Sequence, residues 1–115
     1  MSQMLTVPQP EWKAYFDRLS RALLGKRAEV EVASLDLGDQ IVAEWIPLIG
    51  ITYDSREDLL DVALDRSNHL IRHPRQIVVE EAPAGVASVA VTDSDGLQQI
   101  VRLKTPMMLP PPSGK

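Results

Sequence analysis

His69 and His73 are the only histidines in the 115 residues, and they stand four positions apart. On a helix that spacing puts both imidazoles on one face, as in many metal sites. The β-branched neighbourhood and Pro74 favour extended chain instead, where positions i and i+4 lie about 13 Å apart. A metal would also need a third ligand, so hydrogen-bonded structural histidines are expected. The densest acidic stretch holds Asp54, Glu57, Asp58, Asp61 and Asp65, diluted by Arg56. A Ca²⁺ loop needs alternating acids around a central glycine with a late glutamate. This stretch lacks that pattern, and Asp93-Ser94-Asp95-Gly96 is shorter still. Asp and Gly supply turn chemistry on their own. Asp58, Asp61 and His69 are the residues that a small metal-dependent hydrolase would use, and acid–base work by them requires a pocket and shifted pKa values. The chain carries no G-x-S-x-G, H-E-x-x-H, P-loop or G-x-G-x-x-G. It has no cysteine, which excludes disulfides, zinc–thiolate sites and cysteine nucleophiles. No catalytic residue, metal or cofactor is assigned, and a non-enzymatic protein is expected.

Arg18, Arg21, Lys26 and Arg27 gather around one segment, and with Arg66, Arg72 and Arg75 they could contact phosphates. The net charge of -4 and the pI of about 5.1 oppose general nucleic-acid binding, because that binding draws on counterion release by a basic surface. The same cations suit a helix C-terminus and can pair with Glu29 and Glu31. Trp45-Ile46-Pro47-Leu48-Ile49 is the most apolar stretch. Proline cannot donate to a strand ladder, so a bulged edge there would turn Trp45 or Ile46 outward. A sheet edge over residues 45–53, ending at Tyr53, then offers a contact surface for a second copy or another protein. Leu109-Pro110-Pro111-Pro112 has polyproline character.

The elements that must position these residues follow from periodicity. Trp12, Phe16, Leu19 and Leu23 recur at steps of four, three and four, with Tyr15 and Ala22 widening the stripe. Pro10 starts and Gly25 stops an amphipathic helix over residues 10–24. Ala28, Val30 and Val32 then alternate with Glu29 and Glu31, a strand with one wet face. Gly38-Asp39 makes a turn, residues 40–46 a second strand, and residues 50–53 resume extended after Pro47. Residues 59–64, 69–72, 76–81, 86–92 and 97–104 read as further strands, the last two flanking a hairpin loop with Gly96 in the left-handed position. Residues 1–9 read as a loose leader, 10–104 as one domain, and 105–115 as a proline-rich flexible tail. This predicts an α+β fold in which the N-terminal amphipathic helix packs on a small antiparallel, barrel-like (Sm/SH3-like) β-sheet. Met1 to Pro10 holds no basic segment followed by an apolar stretch, and no stretch reaches the ~20 apolar residues of a membrane span. A soluble, cytoplasmic protein without membrane contact is expected.

Val30 to Glu81 resembles the Sm-like small barrel. The matching features are a strand, a turn at Gly38, a long bent strand through Gly50-Ile51-Thr52-Tyr53-Asp54, then Asp58-Leu59-Leu60-Asp61-Val62, and a late strand ending in Ile77-Val78-Val79. In the bacterial Sm-like RNA chaperone a Lys-His pair precedes the last strand. Arg72-His73 is similar in place but is followed by Pro74-Arg75-Gln76, which the family pattern lacks. Arg56-Glu57-Asp58 fills the loop where the family carries asparagine. The resemblance implies RNA binding through Arg72, His73 and Arg75. Over the whole chain the sequence looks closer to a bacterial family of small proteins of unknown function. The features that carry this are the Trp12 and Phe16 helix, Glu31-Val32, Leu37-Gly38-Asp39-Gln40, Pro47-Leu48-Ile49-Gly50-Ile51-Thr52-Tyr53-Asp54, His69-Leu70-Ile71, Pro74 and Ile77-Val78-Val79. That resemblance implies no activity.

Overall fold

The computed structural model describes residues 3–21, 27–34, 38–83 and 85–107. Strand β1 (Gln3–Thr6) leads through a 3-10 turn (Gln9–Glu11) into helix α1 (Trp12–Ser20). Seven strands follow: β2 (Arg27–Ser34), β3 (Gly38–Asp54), β4 (Leu59–Leu64), β5 (Ser67–Arg72), β6 (Pro74–Ala82), β7 (Gly85–Asp93) and β8 (Gln98–Met107). They form one antiparallel sheet in the order β1-β6-β7-β8-β2-β3-β4-β5. The expected α+β architecture is present, but the sheet is not closed into a barrel: β1 and β5 end the order and do not pair with each other.

Trp12, Phe16 and Leu19 are 2%, 0% and 0% exposed, so the helix stripe is the core stripe. Burying each such side chain contributes about 1.5–3 kcal/mol. The Trp12 indole nitrogen donates to the Val7 carbonyl at 2.8 Å, which satisfies the one polar atom the ring takes inside. The sheet returns alternating residues to the same core: Ile51 and Tyr53 from β3, Leu60 and Val62 from β4, Ile71 from β5, Ile77 and Val79 from β6. Pro10 lies in the 3-10 turn that precedes α1 and not in the α-helix itself, and Leu23 and Gly25 of the expected stripe and stop fall outside the described residues.

The leader expected to be loose contains β1, which runs antiparallel to β6 with Leu5 opposite Val79. The segments expected on either side of Pro47 are one strand, β3, of 17 residues. It pairs with β2 through residues 38–47 and with β4 through residues 48–54. Three surplus residues bend it: Val42, one at the Glu44/Trp45 step, and Ile49, where the ladders shift register. Pro47 is tolerated because it stands where one ladder ends and the next begins. Its carbonyl still accepts the Asp65 N–H at 2.9 Å. At its other end the chain stays paired beyond residue 105, since Val86 is opposite Met107; the tail's prolines from Pro110 onward lie outside the described residues. No described helix is long and apolar enough to cross a membrane.

Candidate functional site

The six residues expected to bind do not form one surface. Tyr53 is 5% exposed and belongs to the core. Trp45 and Ile46 are half-buried, and Ile46 packs against the core. Trp45 takes a left-handed backbone (φ 51) at a register shift, and its carbonyl accepts from Arg27 Nη1 at 3.0 Å. Arg72, His73 and Arg75 are exposed. The expected open edge over residues 45–53 is closed on both sides at Ile51. Strand β4 lies on one side. On the other, the Ser20 hydroxyl accepts from Ile51 N and donates to Ile51 O, at 2.9 and 2.8 Å.

Two of the six do meet around a third residue. The Tyr53 hydroxyl donates to Asp58 Oδ1 at 2.8 Å, and His73 Nδ1 lies 3.2 Å from Asp58 Oδ2. The backbone builds this contact: Asp58 and His73 both have positive φ (50 and 53), and His73 N donates to Asp58 O at 2.8 Å. Ser94 N donates in turn to His73 O at 3.0 Å. One left-handed histidine thus ties the β3–β4 turn, the β5–β6 corner and the β7–β8 turn together. Burial first, then the hydrogen bond and charge of Asp58, push the Tyr53 hydroxyl above its usual pKa. It is held as a donor, and both Asp58 oxygens are engaged. The arrangement is a clamp. A cleft of about 470 Å³ opens beside it, lined by Gln9, Pro10, Lys13, Tyr53 and Ser55, and Lys13 is paired with Asp17 at 2.9 Å.

The remaining candidates are used locally. His69 Nε2 is 2.5 Å from Gln99 Oε1, and Gln99 Nε2 donates to Asp93 Oδ2 at 2.9 Å. Asp93 Oδ1 accepts the N–H groups of Asp95 and Leu97 at 2.9 and 3.0 Å. His69 and His73 therefore serve separate networks. Asp54 caps its turn by accepting from Arg56 N and Glu57 N, and Asp61 accepts from Asn68 at 2.8 Å. Asp58, Asp61 and His69 are not brought together. Arg66 and Arg72 stand at opposite ends of β5, about 20 Å apart along an extended strand.

A site absent from the sequence reading lies just upstream of the expected one. Residues 38–44 of β3 pair with β2 on one side, and among the described residues no strand pairs with them on the other. Ile41 and Val42 there are 50% and 52% exposed. Their adjacency, apolar beside apolar between Asp39 and Glu44, was the available signal. It read as an ordinary strand because Trp45-Ile46-Pro47 beside it is more apolar. Next to this edge Arg102 bonds both Glu29 and Glu31. The Arg102 hydrogen bond holds the Glu31 carboxyl below its usual range, whereas the Glu31 hydrogen bond and charge raise that of Asp39.

DUF5335, a family of unknown function, matches residues 3–112. The chain belongs to that family. An uncharacterized protein of Aquifex aeolicus (strain VF5) is 35% identical over 105 residues, which are 90% of this chain and 95% of that protein. No solved structure matches the chain. In this DUF5335 protein, several of the residues that carried the whole-chain resemblance hold the fold. Gly38 turns with φ 72. Leu48, Ile51 and Tyr53 fill the core, as do Ile71, Ile77 and Val79. A Cβ on Gly50 would meet the Ser20 hydroxyl oxygen at 3.5 Å.

Proposed function

We propose that this protein is a non-enzymatic interaction module that self-associates, a second copy adding its own residues 38–44 antiparallel along the free edge of β3. The observation that supports this is the unpaired edge with Ile41 and Val42 half exposed on it. Unpaired strand edges are templates for another strand, and a two-fold copy makes an isologous contact. With Val42 opposite Val42, Glu44 faces Gln40 and Asp39 faces Trp45, so no like charges are opposed. A slip of one residue in one direction sets Asp39 against Glu44, which is unfavourable, whereas the opposite slip sets Ile41 against Glu44 and is not disfavoured by charge. The bulges at Val42 and at Glu44/Trp45 keep the paired segment short, so the dimer sits at the weak end of specific interfaces.

Sedimentation equilibrium tests the reading. The expected result is a concentration-dependent dimer that Val42→Lys abolishes without changing the circular dichroism spectrum. A monomer at every concentration, or a dimer that Val42→Lys leaves intact, overturns it.

A further inference from the structure

The molecule has a second cleft, unrelated to the β3 edge, where α1 passes over β1 and β6. It encloses about 190 Å³, with Leu5, Val7 and Val79 as apolar wall and Tyr15, Arg18 and Glu81 as its polar lining. The Tyr15 hydroxyl and Arg18 Nε are both buried with no hydrogen-bond partner among the described residues. Buried polar atoms are rarely left so, and an orphan calls for a partner, either ordered water or a bound molecule. Two orphans three residues apart on one helix, lining one cleft, call for the same occupant. The Arg18 guanidinium carbon lies 5.7 Å from the Tyr15 ring centroid, so the two groups act side by side.

Their chemistry narrows the class. Burial, and then the Glu81 charge, push the Tyr15 hydroxyl up to about 12, so it presents a proton. Arg18 Nε–H is a donor only. Both need an acceptor, and a carboxylate beside an arginine is the strongest partner of that kind. Glu81 and Glu11 line the same cleft and would repel a bare anion, so the occupant must also carry a positive charge for them. The apolar wall requires a hydrocarbon body between or beside the charges. At ~30 Å³ per water, the space holds several waters when no ligand is bound, and a ligand must displace them.

We propose that this cleft is a binding site for a small aliphatic zwitterion of the amino-acid class. Its carboxylate would accept from Tyr15 Oη–H and Arg18 Nε–H, and its ammonium would face Glu81 and Glu11.

Calorimetric titration of the full chain tests this with three probes: L-valine, isovalerate (the same body without the ammonium) and isobutylamine (without the carboxylate). The expected result is saturable valine binding, with each half-molecule at least about tenfold weaker. Tyr15→Phe and Arg18→Met should each weaken valine about tenfold, the loss of one hydrogen bond to a charged group. Lys13→Met, outside the cleft, should not. Because the Tyr15 hydroxyl has no partner to lose among the described residues, Tyr15→Phe should leave the ligand-free melting temperature unchanged or raised. Absence of valine binding overturns the proposal, as does valine binding untouched by both cleft variants. Isovalerate binding as tightly as valine overturns the zwitterion assignment. A lowered melting temperature in Tyr15→Phe together with no valine binding identifies a water-filled structural cleft and overturns the site.

Discussion

Ser20 and Ile51 bond each other twice: the hydroxyl at the end of α1 accepts from Ile51 N at 2.9 Å and donates to Ile51 O at 2.8 Å. A single side chain does for β3 at this point what a neighbouring strand does elsewhere. Strand β2 has ended its ladder at Pro47, so without Ser20 these two backbone groups would face the helix unpaired. Ser20→Ala should therefore cost about 1–3 kcal/mol, the penalty for two orphaned groups in a partly buried position. Urea unfolding followed by tryptophan fluorescence measures it. An unchanged midpoint would show that the helix contributes only its apolar stripe.

Asp93 stabilises a second junction. It accepts from Asp95 N, Leu97 N and Gln99 Nε2, and Gln99 in turn meets His69 on β5. Asp93→Ala removes acceptors from the β7–β8 turn and strands Gln99, which is 6% exposed. A loss of about 2–3 kcal/mol is expected. His69→Ala, at the outer end of the same chain of bonds, should cost less. The two losses should be non-additive in the double variant, since the sites share one network.

The two tyrosines give a pH signature. Tyr15 is pushed up to about 12 and Tyr53 is raised above the ordinary value of 10.0. A folded-state value above the unfolded one adds stability that is fully present below about pH 10 and is lost as pH rises through the folded value. Absorbance titration at alkaline pH should find no tyrosine ionising at its ordinary value in the folded protein. Tyr15→Phe should remove the component near 12. A native step at the unperturbed value would contradict the burial of both hydroxyls.

Much of the fold was legible because local pattern and tertiary environment agree. Trp12, Phe16 and Leu19 mark a helix stripe, and that stripe is buried. Asp93-Ser94-Asp95-Gly96 reads as a hairpin loop, and Gly96 sits there at φ 84. Strand β1 was not legible. Gln3–Thr6 has no buried alternating face and becomes a strand only because β6 lies beside it. The continuity of β3 was hidden by Pro47, whose missing N–H matters little at the handover from β2 to β4. The clamp around Asp58 was hidden for a different reason. It depends on left-handed conformations at Asp58 and His73, which non-glycine residues seldom take and no spacing announces. The stretch of β3 that lacks a second strand among the described residues lies just before the most apolar segment, where Leu48, Ile51 and Tyr53 go into the core and Ile49 stays exposed.

The central claim is strand pairing between two copies with Val42 at the two-fold axis, and the chain's lack of cysteine allows a direct measurement. In Val42→Cys the new thiol can form a disulfide only with another copy. Opposed residues on paired strands bring Cβ atoms to about 4.5–5.5 Å, near disulfide reach. Mild oxidation followed by non-reducing electrophoresis should convert Val42→Cys to a covalent dimer. Ile49→Cys, 62% exposed but outside the edge, should stay monomeric. Equal cross-linking at both positions, or none at residue 42, would contradict the account.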